Sequence, residues 1–305
     1  MSILTTDKIT EIFCITDDFC KEFSKEMKKV PQLPQGGKRH RNRSCTMSES
    51  EIMTILLLYH FGSFKNFKHF YLHYVCIHLK KEFPNALSYN RFIQIEHRVF
   101  VSMMFFLNTV CFGKCTGITF VDSTKIAVCN NKRIYNNHVF KELAKRGKST
   151  MGWFYGFKLH LVCNDKGELL SFCLTPGNVD DRNPKTLKTL TKKLFGKLFG
   201  DRGYISAALF ERLFNEGVHL VTGIKSNMKN RLMPLYDRIM LRKRSVIETI
   251  NDELKNICDI EHSRHRSIHN FIMNLIAALG AYCFFDKKPA IKVDFVPQDG
   301  QLSLF

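Results

Sequence analysis

At Gly117 the chain changes its apolar period, and that change does most to limit what it can fold into. Before it, apolar residues recur at helical spacing. Residues 1–35 read as helical up to the breakers Pro31 and Pro34, and a basic link, Gly36-Gly-Lys-Arg-His-Arg-Asn-Arg43, follows. Ser48 and Glu51 have capping-box spacing ahead of Ile52, Ile55, Leu56 and Tyr59. Gly62-Ser63 ends that pattern. Phe64 to Lys81 forms a second one, and Ser88 opens a third through Tyr89, Arg91, Phe92, Ile95 and Val99. After Gly117 come short apolar runs: 117–122, Tyr155 to Cys163, Leu169 to Leu174, one ending at Gly200, and His219 to Ile224. Asn164-Asp-Lys-Gly167 between two of them is a hairpin signal. Helical stretches at about 183–194 and 206–216 alternate with the later runs.

Runs that alternate with helices in this way predict an α+β or α/β core, a mixed sheet covered by helices. The expected organisation is a helical region over 1–113, helix-turn-helix-like and so suited to DNA, a second domain over 114–290 and a tail over 291–305. The alternative for the first region is a plain helical domain with a basic exterior. The basic, polar stretch from Asn130 to Thr150 reads as irregular: a disordered segment or a loop that meets substrate. Phe271 to Phe285 contains Asn274, is too short to span a bilayer comfortably, and reads as a core helix.

Charge points to the partner. Lys and Arg number 46 against 28 Asp and Glu, a formal net charge of +18. A globular chain this basic fits a polyanion, because each cation that meets a phosphate releases counterions. A solvated basic surface, or a ribosomal or membrane-surface role, is the bland alternative. The eleven cysteines are scattered, with no C-x-x-C, and no basic-then-apolar leader is visible in Met-Ser-Ile-Leu-Thr-Thr-Asp-Lys. These features fit reduced thiols in the cytoplasm. No ligand spacing supports a zinc site.

Three carboxylates stand out against this basic background. Asp122 ends the run Gly-Ile-Thr-Phe-Val, Asp201 ends Lys-Leu-Phe-Gly, and Glu248 lies in the helical stretch Arg-Ser-Val-Ile-Glu-Thr-Ile-Asn. An Asp at one strand end is ordinarily a cap or a turn. Two that end apolar runs, with a Glu on a helix that also carries Arg244 and Lys255, can converge on a pair of Mg²⁺ ions, with Mn²⁺ as the substitute. Such ions take oxygen ligands and clamp the attacking and leaving oxygens of a phosphoryl transfer. Asp180 and Asp181 follow Thr-Pro-Gly-Asn, where Asp commonly bonds local backbone, so Asp181 reads as a turn or supporting residue. Lys158 and His160 alternate with Phe157 and Leu159 and are expected to face the site. His160 reads first as an ordinary hydrogen-bonded strand histidine, with phosphate or metal contact as the alternative. His262, Arg264, His265, Arg266 and His269 form a candidate DNA-facing surface.

The ordered set Phe120-Val-Asp-Ser-Thr124, Gly156-Phe-Lys-Leu-His160, Thr175-Pro-Gly-Asn-Val-Asp-Asp181, Gly200-Asp-Arg-Gly-Tyr204 and Arg244-x3-Glu248-x6-Lys255 resembles the DDE transposases of bacterial insertion sequences, the insertion-sequence 982 family in particular. His262-Ser-Arg-His-Arg-Ser267 and Asn270-Phe271 follow in the same order, and the resemblance covers roughly residues 45–285. It implies a ribonuclease-H-like core, with Asp122, Asp201 and Glu248 as catalytic metal ligands. Lys158, His160, Arg202, Arg244, Lys255, His262, Arg264 and Arg266 would meet DNA. It also implies cleavage at mobile-element ends and strand transfer into target DNA. The enzyme would act as a dimer or larger assembly on double-stranded DNA, in a bacterial cytoplasm beside the nucleoid. Leu241 departs from the pattern, since relatives have Tyr there, and a phosphate contact by that hydroxyl is in doubt. The rival readings are a structure-specific nuclease such as a junction resolvase, and a non-catalytic DNA-binding regulator derived from a transposase.

Overall fold

The computed structural model describes residues 4–29, 45–62, 64–150, 152–226, 228–229, 232–261 and 265–291. The basic link at 36–43 and two residues of the proposed DNA surface, His262 and Arg264, lie outside the described residues.

A mixed sheet forms the centre of the second half. Its strands are β1 (Ile118–Cys129), β2 (Lys145–Ser149), β3 (Gly152–Asn164), β4 (Leu169–Pro176), β5 (Gly196–Gly200) and β6 (Val218–Thr222). The order is β2-β3-β1-β5-β6, with β4 sharing the β2 edge of β3. β1, β3 and β4 are antiparallel neighbours, whereas β5 pairs parallel with both β1 and β6. The parallel strands need crossovers, and α6 (Pro184–Thr191) and α7 (Ala207–Asn215) supply helices to them. Asn183 caps α6 through its side-chain oxygen, and Ser206 caps α7.

The hairpin forms where the sequence places it. Gly167 N–H donates to the Asn164 carbonyl at 3.1 Å, and Gly167 sits at φ 74°. A side chain there is excluded twice, because a Cβ would also fall 2.0 Å from the Pro289 carbonyl oxygen.

Asp122 is in the middle of a strand and does not end one, because β1 runs seven residues past it. Ile126 and Val128 are buried beyond it, so the apolar alternation that holds the strand in the sheet continues. The stretch 130–150 is also more ordered than its composition predicts. It holds a short helical turn, Asn131–Asn136, and the strand β2. β2 reads Lys-Arg-Gly-Lys-Ser with no apolar face; its pairing with residues 152–156 of β3 makes it a strand.

The first half is helical: α1 (Thr6–Lys29), α2 (Glu49–Tyr59), α3 (Phe67–His69), which widens into Phe70–His78, α4 (Tyr89–Ile95) and α5 (Phe100–Phe106). The Ser48/Glu51 capping box is present at α2. Ser50 and every residue from Ile52 to Tyr59 are buried, so α2 is enclosed on all sides and has no face left for a DNA groove. It is enclosed partly by the far end of the chain. α10 (Ile268–Cys283) packs against α2 and α5 with Leu275, Ile276 and Leu279 buried. One hydrophobic core therefore runs from Ile9 through Phe120 and Leu159 to Phe285, and does not divide at residue 113. His60 links the halves further: its Nδ1–H donates to the Cys258 carbonyl at 2.6 Å. Burial lowers the pKa of His60 to about 4. A second, smaller core lies on the opposite face of the sheet, with Val121, Val162 and Leu198 packed under α6 and α7.

Among the described residues, no helix is long and apolar enough to cross a membrane.

Candidate active site

Register brings the two aspartates together. Phe120 of β1 pairs with Phe199 of β5 in parallel, and two further steps set Asp122 beside Asp201. Strands lie about 4.8 Å apart, so the carboxylates are neighbours on one face, that of the stacked rings of Phe120 and Phe199. Asp201 directly follows β5 and accepts a hydrogen bond from Gly203 N–H at 2.8 Å.

Helix α9 (Ser245–Asn256) covers the same face. Val246, Ile247, Ile250 and Leu254 bury one side of it, which leaves Glu248 on the exposed side of its first turn. Arg244, at the joint between α8 (Leu235–Lys243) and α9, bridges the set. Its Nη2 donates to Glu248 Oε1, four residues on, and its Nη1 stands 3.7 Å from Asp122 Oδ1. Asn251, one turn beyond Glu248, donates from Nδ2 to Asp122 Oδ2 at 3.0 Å.

Burial raises the pKa of Asp122 to about 6, helped by the negative charges of Asp201 and Glu248 and opposed by Arg244 and the Ser123 backbone N–H. Three carboxylates with one guanidinium leave the site short of positive charge.

The donor set suits a hard cation, because carboxylate oxygens are what such ions take. The buried Oδ1 of Asn251 makes no hydrogen bond among the described residues and is a further oxygen beside Asp122. The arrangement is nevertheless not a closed cage. Among the described residues, no three carboxylate, imidazole or thiol groups stand close enough to hold an ion as they are.

Lys158 and His160 do not share this face. β1 and β3 pair Asp122 with Leu161 and Ser123 with His160, and paired residues point the same way. Both residues therefore lie on the opposite face, where sequence reasoning missed a second cluster. Asp181 Oδ1 accepts from Ser123 Oγ at 3.0 Å and from Lys158 Nζ at 3.1 Å. Lys158 also donates to the Val179 carbonyl at 2.9 Å. His160 is wholly buried, so it cannot touch DNA as this structure stands. Its Nε2 meets Thr175 Oγ1 at 2.9 Å, and its Nδ1 lies 3.9 Å from Asp181. Burial lowers its pKa to about 4, with Asp181 opposing and Lys158 assisting. The local turn is made by Asp180, whose carboxylate takes the Arg182 backbone and guanidinium. Tyr204 lies between the two clusters, and its buried hydroxyl has no hydrogen-bond partner among the described residues. Burial and the charges of Asp181, Asp122 and Asp201 raise its pKa well above the ordinary tyrosine value.

Of the other cations expected at DNA, Arg202 and Arg266 are exposed, and Lys255 pairs with Glu261 at 3.2 Å. Leu241 packs on the main core.

A family model described as a transposase DDE domain matches residues 112–268, just over half of the chain. A cryo-EM structure of the piggyBac transposase synaptic complex with hairpin DNA is similar at a TM-score of 0.45 and 12% identity. The match covers 92% of this chain and 72% of that one. That score is too low for residue roles to be carried across. No curated protein matches the sequence.

Proposed function

The chain belongs to the transposase DDE domain family, and on that premise we propose that it cuts DNA at the ends of a mobile element and joins them to target DNA. The observation that carries this reading is the meeting of Asp122, Asp201 and Glu248 on one sheet face, with Asp122 buried among negative charges. In this reading the core is ribonuclease-H-like. The sheet order supports it: antiparallel β4-β3-β1 continued by parallel β5 and β6, with the carboxylates on β1, just after β5 and on α9.

Asp122, Asp201 and Glu248 would hold two divalent ions, Mg²⁺ by preference. When bound, the ions supply a polarised water or DNA 3′-hydroxyl and a stabilised leaving oxygen. The residues of the chain do the rest. Asn251 fixes the rotamer of Asp122 by its hydrogen bond. Arg244 balances part of the carboxylate charge and, from the same position, reaches a phosphate oxygen with its guanidinium. The exposed Arg202 beside Asp201 and Arg266 give the DNA backbone position rather than sequence. Sequence reading falls to the helical half, though not to α2. The wider segment Phe70–His78 has exposed residues, among them Leu72, and is the better placed element. Pairing two element ends requires a dimer or larger assembly. The proposed lineage is the insertion-sequence 982 group, working on bacterial nucleoid DNA.

The test is an assay of the purified protein with Mg²⁺ on duplexes that end in the inverted repeats flanking its own coding region. Cleavage at the repeat ends, and joining to a second duplex, is the expected result. Cleavage of branched DNA regardless of the repeats would favour a resolvase instead. Binding to the ends with no cleavage in Mg²⁺ or Mn²⁺ would favour a regulator.

A further inference from the structure

The chain has a single tryptophan, Trp153, and it is 62% exposed at the start of β3. Tyr135, on the turn Asn131–Asn136, is 87% exposed. The two segments are tied together, since Asn131 Nδ2 donates to the Trp153 carbonyl at 2.7 Å. Beside them opens a cavity of about 930 Å³ lined by Val128, Asn130, Lys132, Arg133 and Asn137 among others. Lys132, Arg133, Lys145, Arg146 and Lys148 are exposed, and among the described residues none of them is paired with a carboxylate. Lys148 Nζ stands 5.9 Å from the centre of the Trp153 ring. None of these groups belongs to the carboxylate site.

We infer that this surface binds unpaired nucleotides of a DNA strand. An exposed aromatic ring costs hydrophobic free energy unless something covers it, and a nucleobase covers it by stacking. A base inside a duplex keeps its faces stacked and shows only its edges, so a flat ring on the protein gains most from a base that is out of the helix. The unpaired cations meet the phosphates on either side, and the cavity has room for the displaced base, with amides at its wall to meet base edges. Val128 lies six residues along β1 from Asp122, about 20 Å at strand rise. At 3.4 Å per base step that is about six steps from the carboxylates, so the surface grips a strand away from the point of cleavage. The proposal rests on the transposase reading for the source of the strand, but its test needs no cleavage.

Because Trp153 is the only tryptophan, its emission reports this surface in the full-length protein. The probes are a thymine oligonucleotide of about twelve nucleotides, within the usual site size, a blunt duplex of equal length, and a polyglutamate peptide of equal charge. The expected result is strong quenching by the oligonucleotide and little by duplex or peptide. Tyr135→Ala, followed by anisotropy of a labelled strand, should weaken single-strand binding about tenfold, within the range that one stacked base contributes, and leave duplex binding within about twofold. Unchanged Trp153 emission while anisotropy shows the oligonucleotide bound would overturn the inference. So would equal quenching by duplex or by peptide. Quenching that persists in a protein unable to cut its element ends would sink the transposase reading and leave this one standing.

Discussion

Asp122 and Ser123 are adjacent in the chain, yet they head two different kinds of charge cluster on opposite faces of one sheet. On the Asp122 face, the Arg244 guanidinium reaches two of three carboxylates, and burial with like charges raises the pKa of Asp122 to about 6. On the Ser123 face, the carboxylate of Asp181 has a lysine and a hydroxyl in hydrogen-bond reach, and His160 is neutral and enclosed. The first face leaves negative charge for a ligand to neutralise. The second satisfies its own and supports the strand. Proximity to a site in sequence therefore does not make a residue part of it; the charge balance of each face does.

Asp122→Asn, Asp201→Asn or Glu248→Gln should lower Mg²⁺-dependent cleavage by at least about 10²–10³-fold, the scale of losing one electrostatic group. DNA binding should persist. Near-normal cleavage by any of the three removes that residue from the site. A supporting role for the second face predicts less: Asp181→Asn should lower cleavage far less than those three changes do, because the groups it bonds, Ser123 Oγ and Lys158 Nζ, are not among the proposed ion ligands. It should also cost about 2 kcal/mol of stability, because Lys158 loses a charge-assisted hydrogen bond. If the double variant Lys158→Met/Asp181→Leu regains the stability but not the rate, the cluster positions the site as well as the fold.

In the metal-free protein the Asp122 face also carries a proton linkage. Asp122 has a folded pKa raised above its ordinary value of 3.8, so between about 4 and 6 the folded chain binds more protons than the unfolded one. Its contribution to stability is therefore largest at low pH and is lost as pH rises through about 6. The loss is about 3 kcal/mol for a carboxyl moved from 3.8 to about 6. Asp122→Asn should flatten that part of the denaturation-versus-pH curve, and a wild-type curve already flat there would refute the raised pKa that burial gives Asp122. The smallest effect is expected at Tyr204, between the faces. Its hydroxyl has no hydrogen-bond partner among the described residues, so Tyr204→Phe should leave the free energy of unfolding within about 1 kcal/mol of wild type. A larger loss would show that the hydroxyl bonds one of the clusters in solution.

Much of the local structure was legible in the chain. The capping box at Ser48 and Glu51, the Asn164–Gly167 turn and the caps at Asn183 and Ser206 are decided by side chains within four residues of one another, so sequence alone determines them. The three carboxylates could be picked out for a similar reason, as acidic groups beside apolar runs in a basic chain. Which face each charged residue takes was not local. It depends on the β1–β3 register, and a shift of one residue would exchange Lys158 and His160 with their neighbours. β2 is a strand only because β3 offers it an edge, and α2 lost its exposed face only because α10, more than 200 residues on, packs against it. Hydrogen bonds within one turn are specified by adjacent residues, whereas pairing and burial depend on whatever the rest of the chain brings alongside.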